Sequence, residues 1–427
     1  MKIKIKNVAK IKNAEIVVDG IAVIAGENGT GKSTISKSLF SAFNSFYRLD
    51  ESIKNQRLSS IESVLDFLRF SMGNNNFENI ESFPIGRMAK NILNKFSGKY
   101  LNAEELKKFL IPFFNDRKSI KMNIDQKVVD RINKLLNMDS DVIKEQIILR
   151  HFSDEFHDDI INIYDKQQPS VELNIKNENY LISFDEKGEP HCSKTLNINT
   201  EAIYIDDSNI TDLPFRYIIL PERRHNYYHN NRLQLFLAKS RNNNIINQII
   251  SADILNNVLQ KLNFIAKGEM KVNNRGAVRY SEMDDGKSIS FNSVSGGLKT
   301  FIILKTLLIN GSLEENGTVI LDEPEIRLHP KWQIELAEIL VALQKEFNLH
   351  ILINTHSPYF LQAINVFSQK YGIKENCHYY LSSLDKNNNV WANTQEVTDQ
   401  LEAIYALLAE PFQRLEDLEY DFSYEDR

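Results

Sequence analysis

Residues 21–34, Ile21-Ala22-Val23-Ile24-Ala25-Gly26-Glu27-Asn28-Gly29-Thr30-Gly31-Lys32-Ser33-Thr34, constrain this chain more than any other segment. A short apolar run leads directly into G-x-x-x-x-G-K-[ST], and Ile35, Leu39, Phe40 and Phe43 then recur at helical spacing. Strand, Gly-rich turn and helix, in that order, are the context in which this pattern cradles phosphate. Gly29 and Gly31 let backbone N–H groups approach an anion with no Cβ in the way, and a helix starting near Lys32 points its positive end at the same place. Gly26, Asn28, Gly29, Gly31 and Thr34 are therefore expected around a nucleotide. By the mechanics of the motif Lys32 reaches its β- and γ-phosphates and Ser33 supplies a ligand to Mg2+. ATP and Mg2+ are the expected cofactors.

Three further elements follow far downstream. Thr318-Val319-Ile320-Leu321-Asp322-Glu323-Pro324 is an apolar strand ending in two carboxylates. Both emerge at the strand's C-terminal edge, where open α/β sheets bind ligands. Asp322 is expected to hold Mg2+ by way of water, and Glu323 to orient or deprotonate an attacking water. His350-Ile351-Leu352-Ile353-Asn354-Thr355-His356 is a second strand, and its terminal His356 suits contact with a γ-phosphate. Ser295-Gly296-Gly297 opens a helical run from Leu298 to Leu304, combining a hydroxyl, bare amides and a helix N-terminus into a second phosphate-binding surface.

The remaining chain sets limits. At 427 residues it exceeds one ordinary domain and fits a large domain with an insertion, or two domains. A net charge of -6 excludes a uniformly basic nucleic-acid coat and leaves a local basic groove open. Cys192 and Cys377 are far apart and form no CxxC pair, so neither a disulfide framework nor a zinc set is expected. No apolar run approaches the roughly 18 residues that span a bilayer. Lys2, Lys4 and Lys6 alternate with Ile3 and Ile5, unlike a signal-peptide core, so a cytoplasmic protein with no membrane partner is expected.

Residues 1–24 read as two strands, and 48–165, rich in mixed charge and Asn, as several short helices without sustained heptads. Short alternating runs over 170–218, with a turn at Asp185-Glu186-Lys187-Gly188, read as antiparallel strands. Helices are expected over 232–265, 297–310, from Pro330, and over 396–409, with a hairpin near 378–392 and an acidic tail containing Glu416, Asp417 and Glu419. That tail either frays or docks a basic partner.

Leu220-Pro221-Glu222-Arg223-Arg224, with His225, Tyr227, Tyr228, His229 and Arg232, suits either a nucleic-acid backbone or arginines paired with carboxylates inside the fold. His225 and His229 have no metal-completing neighbours in sequence, and His151 to Asp159 reads as a wet helix face. Gln56, Gln126, Gln167 and Gln168 are alternatives for a glutamine linking the γ-phosphate to a partner-facing surface.

Taken in this order, the four motifs resemble the ABC-class ATPase heads of SMC-, RecF- and OLD-like proteins. The resemblance implies an α/β fold: an ABC-type P-loop ATPase head with a mixed β-sheet, flanking helices and an antiparallel β subdomain. The head would comprise 1–47 and 166–427 in two lobes, with a helical insertion at 48–165. Glu325-Ile326-Arg327-Leu328-His329-Pro330 resembles the RecF-like and OLD turn, which places His329 at a dimer seam. The opening Ile24-Ala25-Gly26 through Thr34 is most similar to the Septu-type ATPases (PtuA) of bacterial anti-phage defence, with related ATPases in PARIS and some retron systems.

This likeness implies a homo-oligomer, a dimer or higher, in which Ser295-Gly296-Gly297 serves the nucleotide of the neighbouring copy. It also implies a separately encoded nuclease partner of HNH type, since no Asp-x-Asp ends an apolar strand after His356. Direct DNA contact stays open. The alternative is a RecF- or SMC-like DNA-repair ATPase that acts without a dedicated nuclease.

Overall fold

The computed structural model describes residues 1–72, 84–113, 124–206, 215, 227–239, 257–273, 275–282, 287–386 and 388–425. Its strands are β1 (Lys2–Val8), β2 (Ile11–Val17), β3 (Ile21–Gly26), β4 (Ser170–Ile175), β5 (Glu178–Phe184), β6 (Pro190–His191), β7 (Ile203–Ile205), β8 (Glu269–Val272), β9 (Val278–Ser281), β10 (Ile289–Ser290), β11 (Thr318–Asp322), β12 (His350–Thr355), β13 (Cys377–Asp385) and β14 (Asn388–Glu396). The helices used below are α1 (Lys32–Ser45), α2 (Leu49–Met72), α3 (Ile85–Phe96), α4 (Ala103–Leu110), α5 (Gln126–Asn137), α6 (Ser140–Phe156), α7 (His229–Leu237), α8 (Gly296–Ile309), α9 (Pro330–Phe347), α10 (Pro358–Tyr371) and α11 (Leu401–Glu425).

The N-terminal segment makes three strands, not the two expected. Ile11, Ala14 and Ile16 of β2 are buried while Lys12, Asn13 and Glu15 are exposed, so this stretch satisfies a half-buried strand in its own right. In β3, by contrast, every residue is buried. Such two-sided burial is the mark of a central parallel strand.

Among the described residues, eleven strands form one mixed sheet in the order β6-β5-β4-β1-β2-β14-β13-β3-β12-β11-β7. From β13 to β7 all neighbours are parallel. From β2 to β6 they are antiparallel. The β13–β14 hairpin joins the halves, because β14 pairs parallel with β2. The antiparallel strands thus continue the same sheet. β7 departs from the expected antiparallel set and pairs parallel with β11. The reason is its composition: Ile203-Tyr204-Ile205 is buried on both faces, which an edge of the alternating half could not provide. Strands β8 to β10 form a small second sheet.

Helices α8, α9 and α10 cover the parallel half through one buried cluster that includes Phe301, Ile303, Leu336, Leu340 and Phe360 with Val23, Leu321 and Ile353. α9 begins as its sequence dictates: Pro330 takes the first turn, where its missing N–H costs nothing, and His329 Nδ1 accepts from Lys331 N–H at 3.2 Å. It ends on Asn348 at φ 50, a left-handed cap. The last helix begins at Leu401, later than expected because residues to Glu396 belong to β14, and it continues through the acidic tail to Glu425. Gln413 Nε2 donating to Asp417 Oδ1 at 3.2 Å is one of the four-apart contacts that support it.

The chain divides into two compact units, Met1–Tyr47 with Ile148–Arg427, and Arg48–Ile147. The smaller unit has its own core of Leu65, Met88, Ile92, Leu106, Val129 and Ile132 from α2, α3, α4 and α5. Asn133 closes that core by exchanging hydrogen bonds with the Leu101 backbone, at 2.8 and 2.7 Å. The return to the larger unit falls inside α6, at Ile148, earlier than the expected 166. No helix among the described residues is long and apolar enough to cross a membrane.

Core position should decide the cost of truncation. Ile353→Ala, at a fully buried site in β12, should cost about 2–5 kcal/mol in denaturant unfolding. Leu181→Ala, on the exposed face of β5 at 45% exposure, should change stability by less than about 0.5 kcal/mol.

Candidate nucleotide site

β3 delivers Gly26 to the turn at φ 159, where a Cβ would stand 2.2 Å from the Ser382 carbonyl oxygen of β13. Gly31 closes the turn at φ 83, and a Cβ there would meet Ile11 Cδ1 at 2.5 Å. Between them Thr30 Oγ1 donates to Glu27 O at 2.8 Å, while Ser382 Oγ donates to Thr30 O at 2.8 Å. The turn is held from below and open above, with Glu27, Asn28, Gly29 and Ser33 exposed.

Gly31, the N-cap of α1, gives the helix no side-chain cap. Among the described residues no hydrogen bond engages the N–H groups of Asn28 to Ser33. Six consecutive donors at the positive end of a helix need an acceptor, and a phosphate chain fits that need. Lys32 is only 5% exposed and its ammonium donates to Gly26 O at 3.1 Å and Glu27 O at 2.9 Å. Burial lowers its pKa, while the nearby Glu323, Asp322 and Glu325 act in the opposite direction.

The acidic side of the site comes from β11 and β12. Their parallel register sets Asp322 beside Asn354. Asn354 Nδ2 donates to Asp322 Oδ1 at 2.7 Å and to Ser36 Oγ of α1 at 2.9 Å. Tyr204 Oη of β7 donates to Asp322 Oδ2 at 2.9 Å. Glu323 then turns out of the strand at φ 50, with its N–H donating to Asn354 O at 3.0 Å. A non-glycine residue in the left-handed region is a local strain of the kind that clusters at functional sites. Its carboxylate lies 2.7 Å from His356 Nε2. That contact holds the Glu323 carboxyl below its usual range against the opposing effect of burial, and Lys32 adds to the lowering.

Glu325 reinforces this corner: it is buried, accepts from Thr355 Oγ1, and accepts from the His356 N–H at 3.0 Å. Lys32, Asp322, Glu323 and His356 are therefore brought together at the C-terminal edge of the parallel strands. Ser295 forms the N-cap of α8, and Gly296 and Gly297 pack so closely on Arg327 and Leu328 that added Cβ atoms would stand 2.8 and 2.9 Å from those side chains. His329 is exposed and caps α9.

Leu220 to His225 lie outside the described residues. The rest of that basic and aromatic segment is committed inside the fold. Arg232 forms a two-pronged pair with Glu201, at 2.5 and 2.7 Å. His229 is buried between Glu155, 2.7 Å from its Nδ1, and Asp206, 2.8 Å from its Nε2. Burial alone would lower its pKa, but the hydrogen bonds to Asp206 and Glu155 outweigh that and raise it to about 9.

The expected wet face over His151 to Asp159 is accordingly wrong for two residues. His151 is buried, which pushes its pKa down to about 3, and Glu155 is wholly buried because a cation from far along the chain meets it. Of the four glutamines, Gln56 and Gln126 lie in the smaller unit, and Gln167 Nε2 donates to Asp165 Oδ2 at 3.1 Å.

Asn354, Tyr204, Ser382 and Glu325 were not singled out in the sequence. Asn354 was within reach: it directly continues the buried-strand run Ile351-Leu352-Ile353, and a buried amide demands partners. Tyr204 and Ser382 reach the site only through strand order.

Residues 21–362, most of the chain, match the family described as "AAA domain, putative AbiEii toxin, Type IV TA system". The chain belongs to this family. It is thereby an ATPase of the AAA class, and the AAA domain spans the turn at Gly26, the pair at Asp322 and His356. A curated relative, "Retron Vc95 probable ATPase" of Vibrio cholerae serotype O1 biovar El Tor, is 31% identical over 107 residues, covering 22% of this chain and only 20% of that protein. Among solved structures, the SMC head domain from Thermotoga maritima is 11% identical with a TM-score of 0.37, covering 93% of this chain and 98% of that one. An Smc head domain with an extended coiled coil, bound to the C-terminal domain of ScpA and derived from Pyrococcus furiosus, is 10% identical with a TM-score of 0.39, covering 98% of each chain. The chain's own strand order, not these low-scoring likenesses, defines the fold.

Two outcomes follow from this geometry. Gly31→Ala should cost more than about 1 kcal/mol in thermal unfolding, since its φ of 83 is left-handed and Ile11 blocks the Cβ. The pKa of His229 lies above its ordinary value of 6.5 in the folded state. Its stabilisation is therefore complete below pH 6.5 and lost as pH rises through about 9. The melting temperature should fall across that window, and His229→Gln should flatten the fall.

Proposed function

We propose that this AAA domain binds ATP with Mg2+ at the Gly26–Thr34 turn and hydrolyses it slowly, in an assembly of two or more copies. That assembly would control a separately encoded nuclease, of HNH type, in anti-phage defence. The observation that carries the nucleotide part is the set of unpartnered N–H groups from Asn28 to Ser33, beside a Lys32 that senses Asp322 and Glu323 electrostatically. On this reading Lys32 exchanges the carbonyls of Gly26 and Glu27 for the β- and γ-phosphates. Ser33 and Asp322 would hold Mg2+, which when bound would supply positive charge against the phosphate oxygens. Glu323, kept ionised by His356, accepts a proton from the water that attacks the γ-phosphorus, and ADP leaves. Ser295-Gly296-Gly297 then serves the nucleotide of a second copy.

The defence role draws support from a family described by a toxin of a type IV TA system, from a relative named for a retron, and from the resemblance of the Gly26–Thr34 opening to the Septu ATPase PtuA. The alternative, a DNA-repair ATPase acting alone, leans on the segment from Leu220 to Arg232, of which Arg232 is already paired with Glu201.

Glu323→Gln should retain ATP binding but reduce phosphate release by at least about 100-fold, in the range expected for loss of a general base. Unchanged turnover would contradict the assignment. Purification of the tagged chain with its neighbouring genes should bring down a nuclease in fixed stoichiometry. Recovery of the chain alone would favour the solitary repair ATPase.

A further inference from the structure

We propose that Tyr204 is a positioning residue for Asp322, fixing the plane of that carboxylate so that its free lone pairs face the metal-bearing side of the nucleotide site. This rests on the reading of the site given above and deepens it. An aspartate's χ2 torsion is broad and two-fold, so a carboxylate tied at one oxygen still swings. Asp322 is tied at both. Asn354 Nδ2 donates to Oδ1 at 2.7 Å and Tyr204 Oη donates to Oδ2 at 2.9 Å. A carboxylate offers about four lone-pair directions, so two donors leave roughly two outward ones, enough to receive metal-bound water.

The two donors have different mounts. Asn354 sits in the adjoining strand and is itself held to Ser36 of α1 at 2.9 Å. Tyr204 comes from β7, on the other side of β11, and its ring is clamped at its back. The His229 ring stacks on it with centroids 4.2 Å apart and planes at 26°. Phe40 of α1 meets the same ring at 5.8 Å. His229 cannot drift, because Glu155 and Asp206 hold its two ring nitrogens and Glu155 also accepts its backbone N–H at 2.6 Å.

A buried ion cluster behind the site thus mounts the phenol that orients Asp322. A purely structural tyrosine would fill the same space without its hydroxyl reaching a carboxylate at the strand's end.

Tyr204→Phe keeps the ring and its stack and removes only the donor. Mg2+ titrated against the full chain, with a fluorescent ATP analogue as probe, should show a half-saturation raised about tenfold, the scale of a lost hydrogen bond to a charged group. Binding of the same analogue in EDTA should stay within about twofold of wild type. In an Asp322→Asn background the Tyr204→Phe change should add nothing, because the residue acts through Asp322. Unchanged Mg2+ half-saturation in Tyr204→Phe, or additive effects of the two substitutions, would overturn the proposal. Wild-type analogue binding with no Mg2+ dependence would overturn the reading of the site as well, so the two failures are distinguishable.

Discussion

Three parallel strands ending at one level hold the site together. Because β12 lies between β3 and β11, the residue that pairs with Asp322 is Asn354, and that amide can reach both the carboxylate and Ser36 of the helix behind the phosphate turn. A slip of one residue in that register would turn Asn354 to the other face of the sheet and separate the acidic corner from the Gly26 turn. Register here is strongly determined, since every residue of β3 and β11 is buried and no alternative pairing keeps their apolar side chains dry.

Charge is arranged in two layers around that framework. In front, Lys32 lies among backbone carbonyls with three carboxylates in electrostatic range, an arrangement suited to a triphosphate and a divalent ion. Behind, His229 is held as a buried cation by Glu155 and Asp206, and Arg232 of the same helix pairs with Glu201. Buried ion pairs add little net stability and a good deal of geometric definition when fully bonded. The rear layer faces Tyr204 and the front layer faces the nucleotide turn, so Asp322 is the residue where the two meet.

Much of this was legible in the sequence where local rules govern. The Gly26 turn, the strand ending in Asp322 and Glu323, the cap at Pro330 and the helix opening at Gly296 depend on residues close in sequence. What was not legible depends on distant partners. Ile11–Val17 alternates like a half-buried strand, but its place in the sheet, between β1 and β14, is set by partners from both ends of the chain. Glu155 looks like a surface acid until His229 is brought to it. Ile203-Tyr204-Ile205 looks like one more alternating strand until it is found buried on both faces and paired parallel with β11. Composition says which residues seek partners; topology says which partners they find.

The central claim is that the Gly26–Thr34 turn is the nucleotide site, and calorimetric titration of the full chain with ATP and Mg2+ tests it most directly. One nucleotide per chain should bind to the wild type, and Lys32→Ala should abolish that binding while leaving the fold, read by circular dichroism, intact. Equal binding by the two proteins would contradict the account.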